Sequence, residues 1–347
     1  MARKILVGVF ALAVIGSLSA GGASEGDKPA DKPAAAAQTF NLRMATVVNR
    51  PHPWFDAADY VIKEMSDKTG GAVQIKIFGG GQLGTDQSTF EDMRTGTLDL
   101  VVGGATTAAP VVPEIGILNL PYFYKDLDQF RKVMDPKGPV VQKYKEVYAQ
   151  KNLGVKLLSL GGGGARVFSN NLKDITEPSQ LQGIKMRVPK NPEDARIWSS
   201  IGAIVTGMGW NEIYPGLQAG VINSFESTFS SFIGSKLYEV AKHVSNTQHI
   251  IMVSHLLVSD ITWKKLPPDY QKILDDASVQ VCRIFTDKGE EVDAQYVKDL
   301  QTKYGCTVSE VNRAAFQQAF QSLHEELAAK GGSADILKLM RQIRDGK

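Results

Sequence analysis

The sequence predicts an α/β protein with two lobes, a ligand cleft between them and a long helix that spans both. Strand and helix patterns alternate in two separate runs, which is typical of open α/β sheets. His243–Asp260 has one long strand pattern, and Pro268 to about Tyr304 has a helical pattern longer than one small lobe needs. We expect such long segments to cross between lobes. Several crossovers leave a cleft, a favoured place for small ligands.

The first alternation covers residues 39–102. Its helix carries apolar residues at helical spacing and ends at two glycines, and its last strand is continuously apolar, as for a strand buried on both faces. In chain order, we predict a strand at Thr39–Val47, a helix at His52–Thr69, a strand at Val73–Phe78, a glycine-rich loop at Gly79–Gly84, a helix from Asp86 to about Thr95 and a strand at Leu98–Val102.

The second alternation begins with a strand at Val155–Leu160, which we expect to end at the glycine run Gly161–Gly164. The elements that follow are predicted as a strand at Ile184–Val188, a helix from about Asn191 to Ile201, a strand at Ala203–Thr206, a helix at Glu212–Ala219, a strand at Val221–Phe225 and a helix around Lys236–Lys242. Beyond the long strand and long helix, Cys306–Val308 is a short strand and helices close the chain. The predicted lobes are 39–163 with 252–291, and 164–251 with 292–347.

The N-terminal residues indicate export. A basic start, an apolar run at Ile5–Leu18 and small residues after it predict a signal peptide at 1–23, with an uncleaved anchor as the alternative. Residues 24–38 lack large apolar side chains and predict a flexible linker. The net charge of +2 and the scattered basic residues argue against a nucleic-acid partner.

Export makes a disulfide conceivable between Cys282 and Cys306. A single helix between them would hold the two residues roughly 30 Å apart, beyond disulfide reach. We therefore predict two free, buried thiols, with a bridge only if the helix breaks near Gly289.

The sequence carries no catalytic motif. GGGQLG at Gly79–Gly84 and GGGG at Gly161–Gly164 lack the Lys-Ser/Thr of a phosphate-binding loop, so glycine-rich turns are the simpler interpretation. The histidines provide no complete metal set and no Ser-His-acid order. We predict a protein that is not an enzyme and has no cofactor or metal.

Two arginines stand out instead. Arg166 follows a glycine run, and Arg187 lies in the strand pattern IKMRVP. A guanidinium in a sheet is almost never fully buried without a partner. That partner is either a ligand carboxylate, held by charge-assisted hydrogen bonds, or an Asp or Glu in a salt bridge between lobes.

From Leu42 to about Leu337 the chain resembles the DctP-type solute-binding proteins of tripartite ATP-independent periplasmic (TRAP) transporters. The resemblance is carried by TGGAVQIKIFGGGQLG at 69–84, GTLDL at 96–100, LNLPYFY at 118–124, LQGIKMRVP at 181–189, IGA at 201–203, NEIYPGLQAGVINSFES at 211–227 and KLYEVAKHVSNTQH at 236–249. It implies a type II-like periplasmic binding protein that captures a small organic acid by hinged closure. It also implies a membrane permease partner, an ion gradient in place of ATP, and a periplasmic location; a monomer is expected.

The resemblance also implies site residues. Arg187 is expected to pair with the ligand carboxylate, Arg166 to add a contact, and Trp210 to pack on the ligand, with lobe core as the alternative for Trp210. Glu226-Ser227 stands where the family usually has Glu-Asn, which puts a C4-dicarboxylate ligand in doubt. The other ligand-binding candidates are His52, Gln82, Asp86, Thr106 and His255. A module that presents the acid to a sensor, and an exported enzyme, are the alternative functions.

Overall fold

The computed structural model describes residues 38–347 as one compact unit. The predicted signal peptide and all but the last residue of the predicted linker lie outside these residues. The strands are β1 Phe40–Ala45, β2 Val73–Phe78, β3 Leu100–Gly104, β4 Val155–Asn170, β5 Lys185–Val188, β6 Ile204–Gly207, β7 Ser224–Thr228, β8 His243–Ser259 and β9 Thr307–Ser309. The helices are α1 Pro53–Lys68, α2 Asp86–Thr95, α3 Leu127–Val133, α4 Pro139–Lys151, α5 Pro192–Ser199, α6 Ile213–Gln218, α7 Phe229–Gly234, α8 Asp260–Lys265, α9 Pro268–Thr302, α10 Arg313–Gln321, α11 Leu323–Lys330 and α12 Ala334–Arg344.

The strands form one mixed sheet in the order β2-β1-β3-β8-β4-β7-β5-β6, with β9 paired to β8. In the first lobe β1 is parallel to β2 and β3, and β3 pairs with the end of β8. In the second lobe β5 is parallel to β6 and β7, and β7 is antiparallel to β4. The long strands β4 and β8 run antiparallel through both lobes, which confirms that the His243–Asp260 pattern crosses between them.

The long helix is also confirmed. Helix α9 has 35 residues and packs against α1 and β4 on the first lobe and against α7 and β9 on the second. Cys282, within α9, and Cys306, after its end, are free and buried thiols, as predicted. Within residues 38–347 no helix is both long and apolar enough to cross a membrane.

The glycine run Gly161–Gly164 does not end β4, and here the prediction is wrong. The strand continues to Asn170, so Arg166 lies inside it. The glycines are needed for close packing: a Cβ on Gly161 would lie 2.5 Å from the Cys282 carbonyl oxygen, and one on Gly163 would lie 2.5 Å from Met252 Cε. Only glycine fits at Gly161, because the obstacle there is the backbone of α9, whereas at Gly163 the obstacle is the end of a flexible side chain.

Other differences are smaller. The predicted helix around Lys236–Lys242 is a short 3₁₀ turn at Leu237–Glu239, and helices α3, α4, α7 and α8 have no counterpart among the predicted elements. Helix α12, assigned by prediction to the second lobe, packs against α3 and α4. We therefore propose that α12 belongs with the first lobe, while the other lobe boundaries stay predictions.

Candidate functional site

Arg187 occupies the middle of β5, and the pleat of the strand decides its direction. Met186 and Val188 face the apolar core and are fully buried, so Arg187 points to the opposite face. Its side chain is only 3% exposed. The Nε atom donates to the Met208 carbonyl oxygen at 2.9 Å, and the guanidinium carbon lies 5.7 Å from the centre of the Trp210 ring.

Among the described residues, no Asp or Glu forms an ion pair with Arg187, and its two Nη groups have no hydrogen-bond partner. Burial lowers the pKa of Arg187 to about 10, although Glu226, Asp86 and Asp194 favour the charged form from a distance. Arg187 therefore stays charged at neutral pH. A buried cation with free, parallel N–H donors is suited to a carboxylate.

Arg166 has a different environment. Its Nε and Nη2 donate to both carboxylate oxygens of Glu226, and Nη2 also donates to the Glu226 carbonyl oxygen at 3.1 Å. The two residues are diagonal neighbours on the antiparallel strands β4 and β7. The partner of Arg166 is therefore a protein acid, which was the predicted alternative to a ligand carboxylate. The salt bridge lies within the predicted second lobe and not between lobes. A direct contact from Arg166 to the ligand stays a prediction.

The Arg166–Glu226 pair extends to His249. His249 Nε2 lies 3.6 Å from Glu226 Oε2, and Nδ1 lies 2.9 Å from Thr247 Oγ1. Burial alone favours a neutral Glu226 carboxyl, but the Arg166 charge outweighs it and holds the pKa well below its usual range. This buried network is already neutralised, so it offers no unpaired charge to a ligand.

Trp210 begins a 3₁₀ turn, is half-buried and packs against hydrophobic clusters of both lobes. Its Nε1 donates to Ser235 Oγ at 3.0 Å. Trp210 therefore lies between the lobes beside Arg187, where an aromatic face can cover a bound molecule. Ser227 in β7 is fully buried, and its hydroxyl has no hydrogen-bond partner among the described residues.

The first lobe supplies two buried histidines. His52 caps α1, and its Nε2 lies 3.0 Å from Ser231 Oγ of the second lobe. His255 in β8 is 2% exposed, and its Nδ1 has no partner. Burial lowers the pKa of each to about 3, so both are neutral at physiological pH. Neither histidine therefore adds a positive charge at this position.

The remaining candidates differ in accessibility. Thr106 is buried and accepts a hydrogen bond from Asn119 Nδ2 at 2.9 Å. Asp86 is the first residue of α2 and is partly buried, and burial raises its pKa. Gln82 is exposed in the turn before α2. Sequence reasoning missed Asn119 and Asp194, although Asn119 belongs to the LNLPYFY segment.

Asn119 and Asp194 join the lobes directly. Asn119 Nδ2 donates to the two Asp194 carboxylate oxygens at 3.0 and 3.2 Å, and Asn191 Nδ2 donates to the same carboxylate at 2.7 Å. Burial, with repulsion from Glu226, raises the pKa of Asp194 to about 6. Together with the His52–Ser231 contact, this bond links the two predicted lobes.

Two cavities are of interest. One of about 410 Å³ lies beside Gly162, Gly164 and α9. Its wall carries both acidic residues, Asp126, Glu290 and Asp293, and the basic residues Lys125 and Arg313. The other, of about 190 Å³, lies between the lobes next to Trp210. Arg187 is not among the lining residues of either cavity.

Known protein families and structures are similar to this chain. Residues 44–331 match the family described as bacterial extracellular solute-binding protein, family 7 (DctP). A solute-binding protein of Verminephrobacter eiseniae is 29% identical over 314 residues, 90% of this chain and 91% of the relative.

Two solved structures carry sugar acids. A TRAP periplasmic solute-binding protein from Sulfitobacter sp. NAS-14.1, with bound β-D-galacturonate, is 28% identical, has a TM-score of 0.80 and matches 87% of this chain and 99% of that one. Another from Roseobacter denitrificans OCh 114, with bound L-galactonate, is 27% identical, has a TM-score of 0.80 and matches 89% and 99%.

Proposed function

Because the chain belongs to family 7 of the bacterial extracellular solute-binding proteins, the DctP family, we propose that it captures a sugar acid by its carboxylate and delivers it to a TRAP permease. One observation carries the proposal: Arg187 is a buried guanidinium with free donors and no ion-pair partner among the described residues. The relatives that hold β-D-galacturonate and L-galactonate support the choice of a polyhydroxy acid.

The proposed mechanism is closure around the ligand. The carboxylate meets Arg187 on the second lobe, and Trp210 covers it. The first lobe then closes through Asn119–Asp194 and His52–Ser231. Excluding water strengthens the ion pair, and the ligand favours the closed form by contacts made only there. The role needs no catalysis, and the site of action is the periplasm, with the exported monomer as the carrier.

A thermal-shift screen of residues 38–347 against galacturonate, galactonate, other sugar acids and C4-dicarboxylates tests this function. An acid present at 100 times its dissociation constant should stabilise the protein by about 2.7 kcal/mol. Calorimetry on each hit gives the affinity and the stoichiometry, expected to be one. Failure of every organic acid to bind, at concentrations up to the millimolar range, contradicts the proposed function.

A further inference from the structure

A second unpaired charge lies in the cleft. The Asp86 carboxylate makes no ion pair or side-chain hydrogen bond with any described residue, although it is partly buried. The positive charge of Arg187 favours the ionised form of Asp86. The cleft therefore has a free cation on one lobe and a free carboxylate on the other.

Contacts made by adjacent residues bring Asp86 and Arg187 near each other across the two lobes. The turn that follows β6 reaches the first lobe, because a Cβ on Gly209 would lie 3.6 Å from the Thr85 side chain. Thr85 precedes Asp86, and Met208, which accepts from Arg187, precedes Gly209. On its other side Asp86 borders Gly103, where an added Cβ would lie 3.7 Å from Asp86 Oδ1 and 3.1 Å from His255 Nε2.

The charge balance of the cleft then limits the ligand. Arg166 is neutralised by Glu226, so of these two buried arginines Arg187 is the one whose donors are free to receive a carboxylate. A second carboxylate at the far end of the same ligand would lie near the Asp86 carboxylate and be repelled by it, and the neighbouring His255 is neutral and would not offset that repulsion. Hydroxyl groups at that end instead donate to Asp86, which has only acceptors when ionised.

We propose that Asp86 is a specificity-determining residue, which selects sugar acids with one carboxylate and rejects the aldarates that have one at each end. The inference rests on the proposed function and narrows its substrate class. Two like charges about 6 Å apart in a partly buried site repel enough to change an affinity about 100-fold. The expected preference for the monoacid is therefore about 30- to 100-fold.

Galacturonate, L-galactonate and galactarate test the inference, because galactarate is the diacid with the same carbon skeleton and hydroxyl configuration. Calorimetry compares wild type with Asp86→Asn, which keeps the size and removes the charge. We expect Asp86→Asn to lower the preference for the monoacids at least about 10-fold, chiefly by improving galactarate. Glu91→Gln is the matched control, since its exposed side chain lies elsewhere on α2 and pairs with Arg94.

The outcomes separate the two hypotheses. If wild type binds galactarate as tightly as the monoacids, or if Asp86→Asn keeps the wild-type preference, the inference is wrong and the proposed function stands. If wild type binds none of the three acids nor any other organic acid in the screen, the proposed function fails and the inference with it. Melting without ligand checks the fold, and Asp86→Ser serves as a second variant should Asp86→Asn not fold.

Discussion

Replacing Arg187 with alanine removes the charge on which ligand capture depends. In the wild type, one donor of this guanidinium binds the Met208 carbonyl oxygen, and the Nη donors are free for a carboxylate. Truncating one partner of a buried, hydrogen-bonded charge pair weakens binding by about 2–5 kcal/mol. For Arg187→Ala we expect a loss of about 3 kcal/mol, or roughly 100-fold in dissociation constant.

The same variant should keep its stability without ligand, and the reason is the pKa of Arg187. Burial lowers that pKa from 12.5 to about 10, so the charged form is less favourable in the folded than in the unfolded protein, by about 3 kcal/mol at neutral pH. Loss of the Met208 hydrogen bond and of packing on Trp210 offsets this gain. We expect the midpoint of thermal unfolding to change by no more than about 3 °C.

Calorimetric titration with galacturonate or galactonate, together with melting in the absence of ligand, measures both effects. Lys185→Ala is the matched control: it removes a cation from the same strand, but Lys185 is exposed. Wild-type affinity in Arg187→Ala would refute the placement of the carboxylate. A large loss of stability without ligand would show that Arg187 has a structural partner, contrary to the reasoning.

Two further predictions concern buried acids. Glu226→Gln leaves Arg166 buried without its counterion and should destabilise the protein by about 3–5 kcal/mol in urea unfolding; stability within 1 kcal/mol of wild type would contradict this. Asp293 accepts a hydrogen bond from the Ala165 N–H at 3.0 Å, and burial raises its pKa to about 7. Its contribution to the free energy of unfolding therefore falls as the pH rises from about 4 to about 7. Because Asp293→Asn does not titrate, its free energy of unfolding should rise by about 1–3 kcal/mol relative to that of wild type between pH 4 and pH 8. A difference in free energy of unfolding that does not vary with pH would contradict this.

The long elements could be predicted because their periodicity persists over many residues. The His243–Asp260 strand and the Pro268–Tyr304 helix agree with β8 and α9 within a few residues. The glycine run could not be interpreted in the same way, because a glycine that ends a strand and one that admits a close neighbour look alike in sequence. Only the approach of Cys282 and Met252 to β4 distinguishes the two.

The two arginines illustrate the same limit within the candidate site. Both stand in apolar surroundings, so the sequence predicts a partner for each but does not say which partner is protein. The antiparallel register of β4 with β7 brings Glu226 into an ion pair with Arg166, whereas among the described residues no acid on β5 or its neighbouring strands forms an ion pair with Arg187. Asp194 was missed because its position in NPED is typical of a helix N-terminus, where an acid needs no further explanation.

The most direct test is a crystal structure of residues 38–347 with galacturonate or galactonate bound. The account predicts the ligand carboxylate on the Arg187 guanidinium, with oxygen–nitrogen distances of about 2.7–2.9 Å and Trp210 against the carbon chain. A carboxylate bound in the 410 Å³ cavity beside Arg313, or one that displaces Glu226 from Arg166 while Arg187 stays unoccupied, would contradict it.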